Sequence, residues 1–445
     1  MYIKISWSLV WMTGIAASLV GQPTAPQVIT DDIPRFWRMY DLVTNTPDTT
    51  LQYAYIQAYI DSGTPGLKAM AEVRRYTPQR YADAIRLYPA FWASIRPHTL
   101  QASVYAQEIT SGIRQFEQLY PGATPAKVYF TVGALRSSGT TQSDRILIGS
   151  ELALADSLTE TRELPAWLGH LPGYFATNPR LALVFLIVHE YVHTQQKTTI
   201  GQHLLAQSLL EGVAEFVAVQ ALGVPSPTPA VQQGFALDTR VREAFSQEMF
   251  SPFFDNWLWN DSDNPFRLRD MGYYVGYAIC SSYYAQASDK ALAIREMITL
   301  DYADEAALAD FVDRAGYFDQ SVHRLRRAYE RGRPRVTRLS PITNGDRQVA
   351  ADTLTLYLHF SEPMDTRYRG FEFGPMGEDH VLRVLAFGGF SPDGRTATLE
   401  VQVAPGRQYQ LMVSEQFRNL KGRPLKPYLI SIQTADKPVL PNPQP

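Results

Sequence analysis

The spacing of apolar residues changes once along the chain, and this change limits the folds that the chain can adopt. Between Asp32 and Arg331, apolar residues recur at three- and four-residue intervals, as in YADAIRLYPAFWASI, which predicts helices. After the basic segment RGRPRVTRLSP, short segments such as TLTLYLHF alternate apolar and polar residues, as half-buried strands do. The sequence therefore predicts a mostly helical domain over residues 32–331 and an all-β domain over residues 335–435.

Two β-rich segments interrupt the helical pattern. They are KVYFTV, residues 127–132, and RILIGS, residues 145–150, and the Gly, Ser and Thr residues between them are typical of a turn or an exposed loop. We therefore expect a small sheet beside the helices and an α+β fold overall. A chain of 445 residues also exceeds the roughly 250–300 residues at which one hydrophobic core stops growing, which favours two or more domains.

The N-terminal residues have the pattern of an export signal. Lys4 precedes the apolar residues 5–20, and Gly21 followed by Gln22 and Pro23 is typical of a cleavage region. The apolar stretch is shorter and more polar than the roughly 20 residues that span a bilayer, which favours a signal peptide over a membrane anchor. We expect residues 1–21 to be removed and the protein to be periplasmic, at the cell surface or secreted, with no stable membrane insertion afterwards.

Charge and cysteine content narrow the functional classes. The 41 basic and 44 acidic side chains give a net charge of -3, which offers no electrostatic reason to expect a nucleic acid partner. Cys280 is the single cysteine, so an intrachain disulfide is excluded and an exported fold must be stabilised by packing alone.

The apolar segment LALVFLIVHEYVHTQQ, residues 181–196, ends in two histidines and a glutamate. Asn178 and Pro179 before it are typical of a helix cap and a first helical residue, so we expect a helix from there to about Lys197. A helix this apolar is predicted to be buried, and a buried glutamate beside two histidines needs partners that offset its desolvation.

The histidine spacing suits a metal ion. His189 and His193 are four residues apart, so both imidazoles lie on one helix face, where they can bind one zinc ion. Glu190 lies beside the pair and is predicted to accept a proton from the attacking water without binding the metal. The HExxH pattern also arises by chance, in roughly one chain in a hundred of this composition, so its context must decide.

The next apolar helix supplies a third ligand. Glu211 and Glu215 lie four residues apart within HLLAQSLLEGVAEFVAVQAL, and a turn around Thr199 to Gly201 would let this helix fold back beside the first. We predict that Glu211 completes the site and that Glu215 hydrogen-bonds a ligand histidine. A solvated acidic face is the alternative, but the surrounding Leu, Val, Ala and Phe residues favour burial.

Together, HEYVH and LLEGVAEF resemble the glutamate-type HExxH zinc metallopeptidases, the gluzincins, and in particular a bacterial family of predicted zinc-dependent proteases with an EGxAEF helix. The resemblance spans residues 32–331 and is specific at these two motifs. It implies a zincin-like metallopeptidase domain with one Zn2+ per chain, in which Glu211 is the third ligand and Glu215 supports a ligand. It also implies a peptide or protein substrate and Glu190 as the general base.

The segment MGYYVGYAI, residues 271–279, carries a second resemblance. Its Y-x-x-G-Y-A core is similar to the tyrosine helix of the zinc aminopeptidases, whose first tyrosine stabilises the oxyanion, and Tyr273 is the matching residue. Tyr274 and Tyr277 remain alternatives for that role, and aromatic core packing is an alternative for all three. The sequence lacks a GAMEN-like segment that would hold a substrate N-terminus, so we expect an endopeptidase.

Residues 335–435 resemble the bacterial immunoglobulin-like modules that are often appended to exported proteins. The resemblance lies in LHFSEPMD, NLKGRPL and the final SIQT, and it implies an Ig-like β-sandwich. We expect this module to take no part in the chemistry. The Pro-rich residues 436–445 have little to bury, so we expect a flexible tail.

Two other functions are compatible with the same residues. One is a non-catalytic exported zinc-containing binding or scaffold protein, and the other is a zinc amidase that acts on cell-wall material. Structural zinc sites usually have four protein ligands, often cysteines, whereas two histidines and one glutamate leave a position open. The sequence therefore favours a hydrolase, and an exported zinc metallopeptidase is the main hypothesis.

Overall fold

The computed structural model describes residues 27–197, 200–260 and 264–436. The expected signal peptide, residues 1–21, and nearly all of the expected tail, residues 436–445, therefore lie outside the described residues. Within them the fold is α+β, with a large helical part and several small sheets.

Short helices form the beginning of the described chain. They are α1 (Asp32–Thr44), α2 (Thr49–Asp61), α3 (Pro65–Arg74), α4 (Pro78–Leu87), α5 (Pro89–Leu100) and α6 (Ala106–Leu119). Helices α3 and α4 show how the sequence starts these short helices. Thr64 and Thr77 each accept a hydrogen bond from the backbone N–H three residues later, and a proline follows each of them as the first helical residue.

The first sheet contains four strands in the described chain. They are β1 (Val28–Ile29), β2 (Lys127–Thr131), β3 (Gly139–Gln142) and β4 (Arg145–Gly149), in the order β1-β2-β4-β3. Strands β1 and β2 are parallel, as are β2 and β4, whereas β3 is antiparallel to β4.

Strand β3 corrects the sequence analysis, which placed a turn or an exposed loop between the two β-rich segments. Thr140 and Thr141 of β3 pair with Leu147 and Ile146 of β4, and all four residues of β3 are half-buried. An edge strand of small polar residues lacks the apolar alternation by which strands are recognised, so the sequence gives no sign of it.

Helices again dominate between the sheet and the C-terminal strands. They are α7 (Ser150–Ala153), α8 (Leu171–Ala176), α9 (Leu183–Gln195), α10 (Leu204–Leu222), α11 (Pro229–Gly234), α12 (Asp238–Glu248), α13 (Met271–Gln286), α14 (Lys290–Thr299), α15 (Glu305–Ala315) and α16 (Val322–Arg331). Helix α10 packs along α13 on one side and against α9 on another, so α9, α10 and α13 form the centre of the helical part.

Helix α9, which carries the histidine pair, begins later than predicted. Asn178 adopts a left-handed conformation with φ 54°, and its side chain accepts from the backbone N–H of Ser157 instead of capping the helix. Residues Pro179–Ala182 form a single 3-10 turn, and the α-helix starts at Leu183. A proline at the first position fits either kind of turn, so the sequence could not distinguish them.

Helix α10 is long and apolar enough to cross a membrane, and so is the bent pair formed by residues Ala166–Ala176 and Pro179–Gln195. However, 83% of the apolar window of α10 is buried inside the protein. The apolar character of α10 is therefore accounted for by its place in the core.

The C-terminal strands form two further sheets. They are β5 (Val336–Ser340), β6 (Thr353–Phe360), β7 (Phe371–Glu372), β8 (Arg383–Phe390), β9 (Thr396–Gln402), β10 (Gln408–Val413) and β11 (Tyr428–Gln433). One sheet has the order β5-β6-β9-β8 and the other has the order β11-β10-β7. Apolar residues of both sheets share a hydrophobic cluster that runs from Val336 to Ile432, separate from the cluster of the helical part between Ile33 and Tyr329.

Candidate metal centre

Three side chains predicted to bind zinc converge where α9 meets α10. The Nε2 atoms of His189 and His193 are 3.1 Å apart, and Glu211 Oε2 lies 3.5 Å from the first and 3.2 Å from the second. His189 and Glu211 are buried, and His193 is partly buried. A tetrahedral zinc ion with bonds of about 2.0–2.1 Å separates its ligand atoms by roughly 3.3 Å, so the spacing of these three atoms fits the ion.

The Gln196 amide fixes the orientation of His193. Its Nε2 donates to the Leu210 carbonyl and to the Tyr302 hydroxyl oxygen, both at 3.0 Å, while that hydroxyl donates to the Met297 carbonyl. The amide oxygen therefore faces His193, and it lies 2.6 Å from Nδ1. Since an amide oxygen only accepts, the hydrogen-bond network assigns a proton to Nδ1 of His193.

His189 is oriented in the same way by a carboxylate. Its Nδ1 lies 3.1 Å from Glu215 Oε2, so this nitrogen also donates. With both Nδ1 protons committed, the Nε2 atoms of His189 and His193 face the Glu211 carboxylate and present lone pairs there whenever the rings are neutral. Three electron-pair donors thus meet at one point, an arrangement that a cation stabilises.

The remaining carboxylate oxygens have partners of their own. Gln207 Nε2 donates to Glu211 Oε1 at 3.0 Å, and the Ser226 hydroxyl donates to Glu215 Oε1. Each glutamate is therefore held so that its Oε2 atom points to a histidine. This is consistent with the roles predicted for Glu211 as a ligand and Glu215 as a support.

The site attracts positive charge. Burial lowers the pKa of His189, but hydrogen bonds to Glu211 and Glu215 outweigh burial and raise it to about 10. Burial raises the pKa of Glu211, but the two histidines outweigh it and hold that pKa well below its usual range. A metal ion at this point would replace protons that the same groups would otherwise bind.

Glu190 lies beside the ligand atoms and under the edge strand. Its carboxylate is so close to Gly139 of β3 that a Cβ on Gly139 would lie 2.7 Å from Glu190 Oε1. Burial raises the pKa of Glu190, although the neighbouring His193 and His189 act to lower it. A buried carboxylate with a raised pKa, next to the ligands, has the properties of a general base.

Tyr273 is the tyrosine of α13 that reaches the ligands. Its ring stacks on His189 with a centroid distance of 6.1 Å, and its hydroxyl lies next to the side chains of Glu211 and Trp259. Tyr274 instead donates to Asp238 Oδ1 at 2.7 Å. Burial and Glu211 raise the pKa of Tyr273 well above its usual value, so its hydroxyl stays protonated and can donate.

The third tyrosine of the segment, Tyr277, packs edge-on against Phe216 with a centroid distance of 5.4 Å. Tyr274 and Tyr277 therefore follow the core-packing alternative. Of the three tyrosines, Tyr273 is the one whose ring and hydroxyl contact the candidate ligands.

Several residues around the site were missed from the sequence. Gln196 lies three residues after His193 and orients it, and Gln207 lies four residues before Glu211 and orients that side chain. Helical spacing could therefore have identified both glutamines. Trp259 approaches Tyr273 from the loop that precedes α13, and no helical or strand periodicity indicates that contact.

No protein-family model matches the chain, and no curated protein matches it either. Solved structures that match include S-layer proteins. The crystal structure of the S-layer protein rSbsC(31-844) matches at 13% identity and a TM-score of 0.18, over 92% of this chain and 45% of that one. The N-terminal part of the bacterial S-layer protein SbsC matches at 12% identity and a TM-score of 0.18, over 91% and 77%. At these TM-scores the similarity supports no conclusion about fold or function.

Proposed function

We propose that the protein is an exported zinc-dependent metallopeptidase that hydrolyses internal peptide bonds. The observation that carries the proposal is the convergence of His189 Nε2, His193 Nε2 and Glu211 Oε2, with the other nitrogen of each histidine already held by an acceptor. A buried cluster of three electron-pair donors has little stabilising value unless a cation binds there.

The proposed fold goes with this function. Residues 32–331 would form a zincin-like metallopeptidase domain, supported by the ligand pair on one helix, the third ligand on the next and the antiparallel edge strand over Glu190. Residues 335–435 would form an Ig-like β-sandwich, supported by two small sheets that share one core. Residues 1–21 would be the signal peptide.

The chemistry follows from the placement of two residues. When bound, zinc lowers the pKa of a water molecule and polarises the scissile carbonyl. Glu190 accepts the proton of the attacking water and transfers it to the leaving amine. Tyr273 donates a hydrogen bond to the oxyanion that forms on the substrate, because its hydroxyl stays protonated beside Glu211.

The sheet supplies a means to hold the substrate. Strand β3 is at the edge of its sheet and lies over Glu190. An extended peptide that pairs with β3 would therefore pass the general base. Pairing of this kind recognises the main chain of the substrate, which suits cleavage within a polypeptide.

Metal analysis of the purified chain tests the metal site. We expect about one zinc ion per chain, lost in His193→Ala and kept in His323→Ala, which removes an exposed histidine elsewhere in the helical part. A protein that folds without bound zinc at neutral pH would refute the proposal.

Glu190→Gln separates catalysis from metal binding. Zinc content should match the unsubstituted chain, while hydrolysis of a quenched fluorescent peptide library should fall by about 10²–10⁴-fold. A zinc-containing chain that hydrolyses nothing in either form would support the scaffold alternative. Hydrolysis of isolated cell-wall peptidoglycan, with no hydrolysis of the peptide library, would support the amidase alternative.

A further inference from the structure

A cleft of about 640 Å³ is lined in part by Trp259, whose side chain also lies beside the Tyr273 hydroxyl. The loop Pro252–Asn260 forms one wall, which includes Phe253, Asp255 and Trp259, and Trp167 also lines the cleft. Trp167 and Trp259 are 60% and 54% exposed, which is unusual for the largest apolar side chain. The cleft therefore offers aromatic surface to a ligand close to Tyr273.

The loop is joined directly to the start of α13. The backbone N–H of Gly272 donates to the Trp257 carbonyl at 2.8 Å, and the backbone N–H of Trp259 donates to Asp270 Oδ1 at 2.5 Å. The Trp259 side chain lies beside the Tyr273 hydroxyl. A shift of the loop would therefore change both the cleft wall and the environment of Tyr273.

The other end of the loop contacts the segment between β10 and β11. The Arg418 guanidinium lies 3.6 Å from the ring centroid of Phe253 and 4.3 Å from that of Tyr368, and its Nη1 donates to Asp255 Oδ2 at 2.8 Å. Arg418 is 9% exposed, whereas the Asp255 side chain is 67% exposed, so the guanidinium is buried but its ion pair is open to water. A guanidinium that contacts aromatic rings gains cation–π attraction in addition to its ion pair.

We propose that Arg418 is a positioning residue for the substrate cleft, so that the C-terminal module forms part of the substrate-binding apparatus. The inference rests on the proposed function, because it assigns the cleft to the substrate of the same metal centre. Arg418 touches neither the metal ligands nor the general base. It acts through Phe253 and Asp255, which are both cleft-wall residues and contacts of Arg418.

This inference modifies the expectation that the C-terminal module takes no part in the chemistry. The module would supply none of the reacting groups, but it would fix the wall against which the substrate is held. A second arginine at the same junction, Arg423, donates to the Gln247 carbonyl at 3.4 Å, just before the loop begins. The helical part and the strands therefore meet close to the cleft.

Arg418→Gln in the full chain tests the proposal without any substrate. Hydrogen exchange of the backbone amides of Trp259 and Gly272 should become about tenfold faster, because loss of the guanidinium removes the restraint on the loop. The matched control is Arg407→Gln, which removes an arginine that stacks on Tyr409 within the same module. Unchanged exchange in Arg418→Gln would overturn the proposal.

Kinetics with a quenched fluorescent ten-residue peptide test the assignment of the cleft to the substrate. We expect KM to rise about tenfold in Arg418→Gln and in Asp255→Asn, with a smaller change in kcat and the same zinc content. The KM of the double variant should be little higher than that of either single variant, since both substitutions remove the same contact. Arg418→Lys should restore part of the loss, because it keeps the charge but not the planar stacking.

The failures of the two proposals can be told apart. Faster exchange in Arg418→Gln with an unchanged KM would overturn the role of the cleft and leave the metallopeptidase proposal standing. A chain that lacks zinc and hydrolyses no peptide would refute the metallopeptidase proposal, and the exchange measurement would still decide whether Arg418 positions the loop.

Discussion

Gly212 of α10 and Gly276 of α13 face each other where the backbones of the two helices touch. A Cβ on Gly212 would lie 2.1 Å from the carbonyl carbon of Gly276, and a Cβ on Gly276 would lie 1.9 Å from the carbonyl oxygen of Ser208. Only glycine at both positions permits this crossing. Gly212 follows Glu211 directly and Gly276 is three residues after Tyr273, so the close crossing brings a candidate ligand and a candidate oxyanion donor together.

Gly276→Ala should force α10 and α13 apart. We expect a loss of about 1–3 kcal/mol in the free energy of unfolding, the usual cost of overpacking a core. Zinc affinity should also fall as Glu211 moves. Urea unfolding and zinc titration measure the two effects. Gly173→Ala is the control, because a Cβ there meets nothing within 4 Å, and an equal effect in both variants would contradict the explanation.

Gln196→Leu should weaken zinc binding by about 10–100-fold, because His193 loses the acceptor that holds its Nδ1 proton and its ring orientation. Competition with a chelator measures the affinity. The neighbouring Gln195→Leu removes contacts with Thr124 and Thr194 and should leave the zinc affinity unchanged. Equal affinities in the two variants would show that Gln196 has no part in the site.

Tyr273→Phe should lower kcat by about 10²–10³-fold, the effect of removing one oxyanion donor, with zinc content unchanged. Tyr274→Phe, at the next residue, removes the hydrogen bond to Asp238 at the start of α12. It should reduce stability and leave kcat close to that of the unsubstituted chain. A kcat loss confined to Tyr274→Phe would reverse the assignment of these two tyrosines.

Glu151 gives the folded protein a pH dependence away from the metal site. Its carboxylate is fully buried, and burial raises its pKa to about 7 although the backbone N–H groups of Gly133 and Leu135 donate to it. In the unfolded chain its pKa returns to about 4.5. Between these two pKa values the folded state keeps a proton that the unfolded chain has released. The free energy of unfolding is therefore highest below about pH 4.5 and declines as the pH rises through about 7.

Urea unfolding should give a lower free energy of unfolding at about pH 8 than at about pH 5. The difference should be on the order of 3 kcal/mol, because one pKa unit corresponds to about 1.4 kcal/mol. Glu151→Gln should flatten the dependence, because an amide does not titrate. Glu72→Gln is the control, since Glu72 lies at the surface. The same slope in Glu151→Gln as in the unsubstituted chain would exclude Glu151 as its source.

Local spacing explains which parts of the molecule the sequence could predict. His189 and His193 share a face of α9, and Glu211 lies on the very next helix, so helical periodicity was enough to bring the three together. The alternating C-terminal segments predicted their strands for the same reason, with β6 and β10 matching the segments TLTLYLHF and QYQLMV.

The remaining features depend on contacts between distant parts of the chain. Strand β3 is recognisable only from its pairing with β4, because its own residues are small and polar. Trp259 reaches Tyr273 through a loop whose described part has three non-glycine residues at positive φ, namely Trp259 itself, Arg267 and Asp270. Arg418 belongs to a segment with no periodic relation to that loop, so only the folded chain shows that they meet.

The positions of the functional residues along the chain also set an order for synthesis. The candidate zinc ligands lie on the consecutive helices α9 and α10, so they can assemble while the later residues are still being translated. Tyr273 emerges from the ribosome afterwards, and Arg418 emerges near the end. A growing chain could therefore bind its metal before the oxyanion donor and the cleft wall exist, and the proposed enzyme would bind its substrate with full affinity only once the last strands had folded.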